Sequence, residues 1–359
     1  MDLQLKDFEY KLPDSSIAQE PQKNKELHKI LYYSTEGIQD STMASFADLI
    51  PPNSLLVLND TKVIPSRIHC QNENGAKIEI FLTENLCKST NRWRALGKPM
   101  KKIREGSIVR FQDGSTATIL EKTECTQTPT IGLQFATPWS DFEKWLSLHG
   151  KVPLPPYIKR PNQELAKDSE DLGHYQTEYA LIPGSVAAPT AGLHFTDTML
   201  STLSSKGIDI ANTTLHVGLG TFLPVKTNDI SRHAMHSEKY LIPEDTHQKI
   251  IRAKNLGKPI IAVGTTSFRS LESFYSMRNP ETNKWHSTDL FIYPKSSDNR
   301  YNTKIVDLLM TNFHQPGSTL LMLVSALIGF DKVKKLYSHA INNDYKFLSY
   351  GDASLLDLR

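Results

Sequence analysis

Gly184-Ser-Val-Ala-Ala-Pro-Thr-Ala-Gly-Leu-His-Phe-Thr196 is the stretch around which the chain is organised. It carries too little charge for a surface loop and too much Gly and Pro for a regular helix. Its small side chains let backbone pass close to another backbone or to a ligand. Pro189 fixes φ locally, while Gly184 and Gly192 permit turns that a β-carbon opposes. Thr196 can cap a helix with Asp197 in its first turn, running through Met199, Leu200 and Leu203 to Gly207. His194 then falls just before a helix N-terminus, where free N–H groups and the dipole favour an anion. Taken alone, the stretch reads as a tight, buried βα connection in which His194 satisfies backbone groups.

Downstream, strand and helix patterns alternate. Residues 211–217 read as a strand followed by Gly218-Leu-Gly-Thr-Phe222. Residues 242–256 form an amphipathic helix ended by Gly257, and 258–263 a buried strand that runs into Gly264-Thr-Thr-Ser267 and a helix over 268–275. Residues 290–293 and 304–310 are further strand candidates. Asn312-Phe-His-Gln-Pro-Gly-Ser-Thr319 opens an apolar helix, and 331–343 is a last long one. Upstream, Asp14-Ser-Ser-Ile-Ala18 opens a short helix and Leu31-Tyr-Tyr33 is strand-like. Residues 45–50 are helical until Pro51 and Pro52, and 54–58 are a buried strand ending in Asn59-Asp60-Thr61.

Between about Ser66 and Gly150 the texture changes to alternating strands, with a hairpin signal at Gln112-Asp-Gly-Ser115. Val152-Pro-Leu-Pro-Pro-Tyr-Ile-Lys-Arg-Pro161 is a stiff connector, and 162–171 reads as a mobile polar loop. The expected fold is an α/β main domain, residues 1–65 plus 153–359, interrupted at 66–152 by an inserted small antiparallel β-barrel-like domain.

Composition sets the bounds. A chain of 359 residues with 39% hydrophobic and 22% charged residues is an ordinary globular protein of about two domains. A net charge of +2 neither demands nor excludes a nucleic-acid partner. Three cysteines, Cys70, Cys87 and Cys125, with no C-x-x-C pair, argue against a disulfide framework or zinc ribbon and suit a reducing cytosol. No signal-peptide pattern opens the chain, and the longest apolar run, 320–330, is too short to span a bilayer. A cytoplasmic, membrane-free protein is expected.

Three segments repeat one design, in which a strand leads into a Gly/Thr/Ser-rich turn: 214–222, 263–269 and 311–320. Strand C-termini in open α/β sheets converge on a ligand crevice. Thr265, Thr266 and Ser267 offer hydroxyls and N–H groups suited to a carboxylate, ribose or phosphate, although one such turn alone would be routine capping. His194, His216, His233, His236 and His314 lie in or beside these turns and suit acid–base work, though each is equally compatible with a structural role. His233, His236 and Glu238 can also be read as a metal triad, a weaker reading because the spacing fits no strong zinc signature. Arg269 could clamp a carboxylate or phosphate. Asp60 could bind ribose hydroxyls or a cation, or simply pair with Arg67. Glu272, Asp307 and Asp352 also sit near element ends. Lys98-Pro-Met-Lys-Lys-Ile-Arg104, the densest basic cluster, is read as a solvated hairpin edge ahead of an RNA contact.

Long motifs carry the reading further. Leu58-Asn-Asp-Thr-Lys-Val-Ile-Pro-Ser-Arg, Tyr175-Gln-Thr-Glu-Tyr-Ala, the 184–196 stretch, Thr214-Leu-His-Val-Gly-Leu-Gly-Thr-Phe, His233-Ala-Met-His-Ser-Glu, Val263-Gly-Thr-Thr-Ser-Phe-Arg-Ser-Leu-Glu, Thr311-Asn-Phe-His-Gln-Pro-Gly-Ser-Thr and Ser349-Tyr-Gly-Asp resemble the S-adenosylmethionine:tRNA ribosyltransferase-isomerase family of queuosine biosynthesis. They do so nearly end to end and in family order. The resemblance implies transfer and isomerisation of the ribosyl moiety of S-adenosylmethionine onto 7-aminomethyl-7-deazaguanine at the tRNA wobble position. The product would be epoxyqueuosine, with adenine and methionine released. S-adenosylmethionine would be a co-substrate, with no prosthetic group and no metal, and the enzyme is expected as a monomer.

In that setting the sulfonium acidifies the ribose C5′ proton. His194, His216 or His236 would serve as base or relay, and Glu238 as orienter or alternative base. Asp60, Thr265, Thr266 and Arg269 would hold the ribose and the methionine end, and Arg67, Thr190, Gly218, Gly220, Asn312 and His314 complete the expected substrate-binding set. Tyr157, Tyr175 or Phe195 would stack a splayed base of the anticodon loop. The chain departs from the family pattern at Gln315, Gly317, Lys346, Ser354 and over 294–303.

Overall fold

The strand Leu55–Asn59 is buried at every position, so both of its faces must be covered. It is the second of four parallel strands at the centre of a nine-stranded sheet, flanked by Asp209–Leu215 and Ile260–Val263, with Leu308–Asn312 beyond. Antiparallel pairs extend both edges. Glu238–Leu241 and Trp285–Thr288 lie beyond Asp209–Leu215. On the other side Ala353–Asp357 pairs antiparallel to Leu308–Asn312, followed by Lys29–Ser34 and Gly37–Thr42. The computed structural model describes residues 3–123, 129–160, 165–218, 220, 225–296 and 299–359, the side chains of 165–169 excepted. Cys125, Leu219, Thr221 and Phe222 and parts of the 162–171 and 294–303 segments lie outside these residues.

Alternation along the strands divides the core into two layers. Leu55, Val57, Ile260, Ala262 and Leu309 face the helices Glu244–Asn255, Gly264–Ser276, Thr319–Ile328 and Phe330–Asn342. Leu56, Leu58, Ile261, Val263, Leu308 and Met310 face Phe46, Phe195 and Leu203 on the other side. Each large apolar side chain buried this way contributes about 1.5–3 kcal/mol of transfer free energy. Thr196 caps the helix Asp197–Ser205 through its hydroxyl, which accepts the Met199 N–H at 3.1 Å, as the sequence implies.

The second body is a barrel. Its strands run in the order Gly150–Lys151, Arg67–Gln71, Lys77–Cys87, Arg92–Lys98, Thr130–Phe135, Thr116–Thr123, Ile108–Phe111, and pairing of Arg67–Gln71 with Ile108–Phe111 closes the ring. Ile68, Ile80, Ala95, Val109, Ile119 and Leu133 fill its interior, and the helix Trp139–His149 plugs one end with Phe142 and Trp145. The molecule is thus an α/β sheet domain joined to a small antiparallel barrel.

Four local expectations are corrected. From residue 165 the loop expected over 162–171 is instead part of the helix Leu165–His174. It is held because Arg160 donates to both carboxylate oxygens of the buried Asp171, from Nε at 3.0 Å and Nη2 at 2.7 Å. Residues 290–293 are not a strand; the edge strand is Trp285–Thr288 instead. The strand expected over 304–310 begins only at Leu308. Residues 14–18 form only the 3-10 turn Asp14–Ser16.

Candidate active site

The four parallel strands all end on the same side, and a cleft opens there. Thr311, Asn312, Phe313 and His314 form its floor at the end of Leu308–Asn312. Gly264, Thr265 and Thr266 reach it from the end of Ile260–Val263, and Val217 from just beyond Asp209–Leu215. Ala187 to Ala191, from the small-residue stretch 184–196, make one wall. Tyr157, Tyr175, Leu348 and Ser349 make another. All three strand–turn segments thus reach the cleft, 263–269 through Gly264 to Thr266, 311–320 chiefly through Thr311 to Gln315, and 214–222 through Val217.

The turn Gly264-Thr-Thr-Ser is itself the first turn of the helix Gly264–Ser276. Gly264 starts it at φ +85°, a conformation that a β-carbon would strain. No side chain caps this end, and Thr266 Oγ1 and Ser267 Oγ are buried without a partner. Free N–H groups and the positive end of the dipole therefore face the cleft, where an anionic group is stabilised.

Asn312 is the hub behind the floor. Its Oδ1 accepts the Thr190 hydroxyl at 2.8 Å, and its Nδ2 donates to His194 Nε2 at 3.2 Å and to the Asp352 carbonyl at 3.3 Å. With Nε2 as acceptor, His194 carries its proton on Nδ1, which is buried with no partner. The His28 ring meets His194 edge-on at 4.5 Å, and His28 Nδ1 lies 3.7 Å from Asp352. Burial above all, then His28 and Lys25, holds His194 well below the ordinary imidazole range, so it is neutral. His194 thus stands one layer behind the cleft and reaches it through Asn312.

His314 is the imidazole in the cleft lining. Its Nε2 shares a hydrogen bond with Thr311 Oγ1 at 3.0 Å, while the backbone N–H of His314 donates to the Tyr337 hydroxyl and its backbone carbonyl accepts from Tyr10. Burial pushes its pKa down to about 3. Tyr157 and Ser349 are hydrogen-bonded at 2.7 Å, and the buried Tyr175 hydroxyl lacks a geometric partner.

The remaining expected residues gather elsewhere. His216 bonds Thr61 Oγ1 through Nδ1 at 2.8 Å and stacks on Trp285 with centroids 4.8 Å apart. Burial, then Lys239 and Lys88, lowers its pKa to about 4. Glu238 accepts the Gly218 N–H at 2.9 Å and is ion-paired with Arg269, whose Nε donates to the Leu290 carbonyl at 3.1 Å. The carboxylate that Arg269 clamps is thus one of the protein's own. Gly220 packs against the exposed His236, and a β-carbon there would lie 2.6 Å from its ring. Glu238 being committed, it does not converge with His233 and His236, and among the described residues no group of three or more His, Cys, Asp or Glu is arranged to hold a metal. Asp60 is buried against the Thr214 hydroxyl at 2.6 Å and does not pair with Arg67. Burial raises its carboxyl pKa. Arg67 lies on the outer face of the barrel. His28, Tyr10 and Tyr337 went unread in the sequence, because isolated polar residues in otherwise ordinary elements carry no local signal.

A large open sheet with a polar cleft at its carboxyl ends, joined to a barrel, is an α/β enzyme architecture. The family model for "Queuosine biosynthesis protein" matches residues 5–356. A relative from Treponema denticola named S-adenosylmethionine:tRNA ribosyltransferase-isomerase is 42% identical over 98% of this chain and 99% of its own length. One of the same name from Citrifermentans bemidjiense is 41% identical over 98% of this chain and 99% of its own. The crystal structure of S-adenosylmethionine tRNA ribosyltransferase from Thermotoga maritima superposes with a TM-score of 0.53 at 31% identity, covering 98% of this chain and 99% of that one. The chain belongs to the queuosine biosynthesis protein family.

Proposed function

We propose that the chain is an enzyme that transfers and isomerises the ribosyl moiety of S-adenosylmethionine onto 7-aminomethyl-7-deazaguanine at the wobble position of a tRNA. The product would be epoxyqueuosine-tRNA, with adenine and methionine as leaving products. Family membership supports the reaction class. The observation that carries the reading is the cleft, which combines an uncapped helix start with an aromatic wall. A methionine carboxylate suits the N–H groups of Thr265 and Thr266, and an adenine suits the space between Tyr157, Tyr175 and Phe313. In this reading residues 1–65 and 153–359 carry the chemistry and 66–152 form the accessory domain.

The chemistry asks for little beyond positioning. The sulfonium makes the ribose C5′ proton acidic, and the attacking nucleophile is the amine of the modified base, so no covalent enzyme intermediate is needed. His314, in the cleft lining, is neutral, and with its pKa pushed down to about 3 it is too weak a base to take the C5′ proton, so its part is to help bind substrate. Thr190 and Asn312 orient the ribose, with His194 fixing the Asn312 amide from behind. His216, Glu238 and Arg269 shape the edge strand and hold Gly218 beside the cleft. Incubating the enzyme with S-adenosylmethionine and tRNA bearing the aminomethyl-deazaguanine should release one adenine per tRNA modified. Release that is equal with tRNA lacking the aminomethyl group would refute the substrate assignment.

A further inference from the structure

A second concavity adjoins the first, and Pro156 lines both. Its floor is the outer face of three barrel strands. Because Ile68, Ile78, Ile80, Leu82 and Ala95 point into the barrel, the alternate residues Arg67, Glu79, Phe81, Leu96 and Lys98 point out. Arg67, Phe81 and Leu96 stand opposite one another across the strands, and Glu79 stands opposite Lys98. An outer barrel face ordinarily reads polar, so Phe81 and Leu96 there break the pattern. The opposite wall is the stiff connector, through Pro153, Leu154 and Pro156. Arg67 Nε is buried without a hydrogen-bond partner, and Lys98 is exposed. Neither Arg67 nor Lys98 has an acidic partner among the described residues, whereas Glu79 is 3.4 Å from His69. Lys101, Lys102 and Arg104 continue the positive charge beyond Met100.

We infer that this groove binds the single-stranded RNA flanking the base that enters the cleft. The inference rests on the tRNA reading above. A base delivered to the cleft must be unstacked, and its neighbours then leave the helix and need a path across the protein surface. Apolar walls with cations at the ends suit sugar–base faces and phosphates together. Continuity with the cleft at Pro156 favours RNA over a protein partner, as does the run of cations.

The test is fluorescence anisotropy of an anticodon stem-loop carrying the modified base, titrated at several salt concentrations, together with steady-state adenine release. The double variant Arg67→Ala/Lys98→Ala should lose about 1.4 units of the slope of log affinity against log salt, about 0.7 for each phosphate contact to a single strand. Its KM for RNA should rise tenfold or more, with kcat and the KM for S-adenosylmethionine unchanged. Lys206→Ala, removing an exposed cation paired with Asp48 elsewhere on the surface, should change neither. The exposed Lys98→Ala single variant keeps the test readable if loss of Arg67 disturbs the barrel. Wild-type slope and KM in the double variant, or an equal loss in Lys206→Ala, would overturn the groove. Groove-dependent RNA binding by a wild-type enzyme that releases no adenine would support the groove and refute the reaction.

Discussion

Asn312 fixes which proton His194 keeps and where Thr190 points, so one amide sets the polar floor of the cleft. Asn312→Ala should lower single-turnover adenine release about 100-fold, since misplacement of a substrate-positioning group by about 1 Å costs that much. The melting temperature is the companion measurement, because an unfolded variant would give the same loss trivially. Gly184 is tested separately. It sits at φ +147° with a would-be β-carbon 2.6 Å from His216 Nε2. Gly184→Ala should cost about 1–3 kcal/mol in a denaturant titration, through backbone strain and displacement of His216. At this scale the close approach of the backbone at Gly184 and Gly192 was legible from the run of small residues, whereas the run alone assigned His194 only to backbone groups and it bonds the Asn312 side chain instead. The His28–His194–Asn312 arrangement was not. It joins positions far apart in the chain, and no local pattern announces it.

Among the elements, the helix Gly264–Ser276 does most to join fold and site. Its first turn faces the cleft, and near its other end Glu272 holds the segment leading into Leu308–Asn312. That fully buried carboxylate accepts the N–H groups of Lys304, Ile305 and Val306 at 2.8, 3.1 and 3.3 Å, and the Tyr301 hydroxyl at 3.2 Å. Glu272→Ala should destabilise by about 3 kcal/mol or more, because several buried donors are left unpaired at once. Calorimetry or urea unfolding reads this directly; a loss under about 1 kcal/mol would mean water replaces the carboxylate. The buried parallel strands Leu55–Asn59 and Ile260–Val263 were legible as continuous apolar runs. The edge strand Trp285–Thr288 was not, because Trp-His-Ser-Thr lacks such a run and its order comes from pairing with Glu238–Leu241. The helix Leu165–His174 was missed for a similar reason: it is polar, and Arg160 supplies its anchor from outside.

The whole molecule should lose stability in mild acid, well before most carboxylates titrate. His194, His216 and His314 are all held below the ordinary value of 6.5, chiefly by burial, with His216 at about 4 and His314 at about 3. The unfolded chain takes up protons at these sites as pH falls below about 6.5, whereas in the folded chain His216 does so only near 4 and His314 near 3, and His194 well below its ordinary range. Stability is therefore full above pH 6.5 and declines as pH drops towards 4, by at most about 1.4 kcal/mol per pH unit for each histidine. Melting curves from pH 7.5 to 4.5 should show this fall, and His314→Gln should flatten it. The division into sheet domain and barrel was legible in the change from mixed to strictly alternating patterns. How the two bodies meet was not, since the groove between them depends on outward-facing barrel residues that a pattern of inward ones leaves unspecified.

The central claim is that S-adenosylmethionine reacts in the cleft at the carboxyl ends of the parallel strands. A photoreactive azido-adenine analogue of S-adenosylmethionine, cross-linked and mapped by peptide mass spectrometry, tests it most directly. Label should appear on peptides carrying Tyr157, Tyr175 or Thr311 to Gln315 and be displaced by S-adenosylmethionine. Displaceable label confined to the barrel, or to the His216–Trp285 edge, would contradict it.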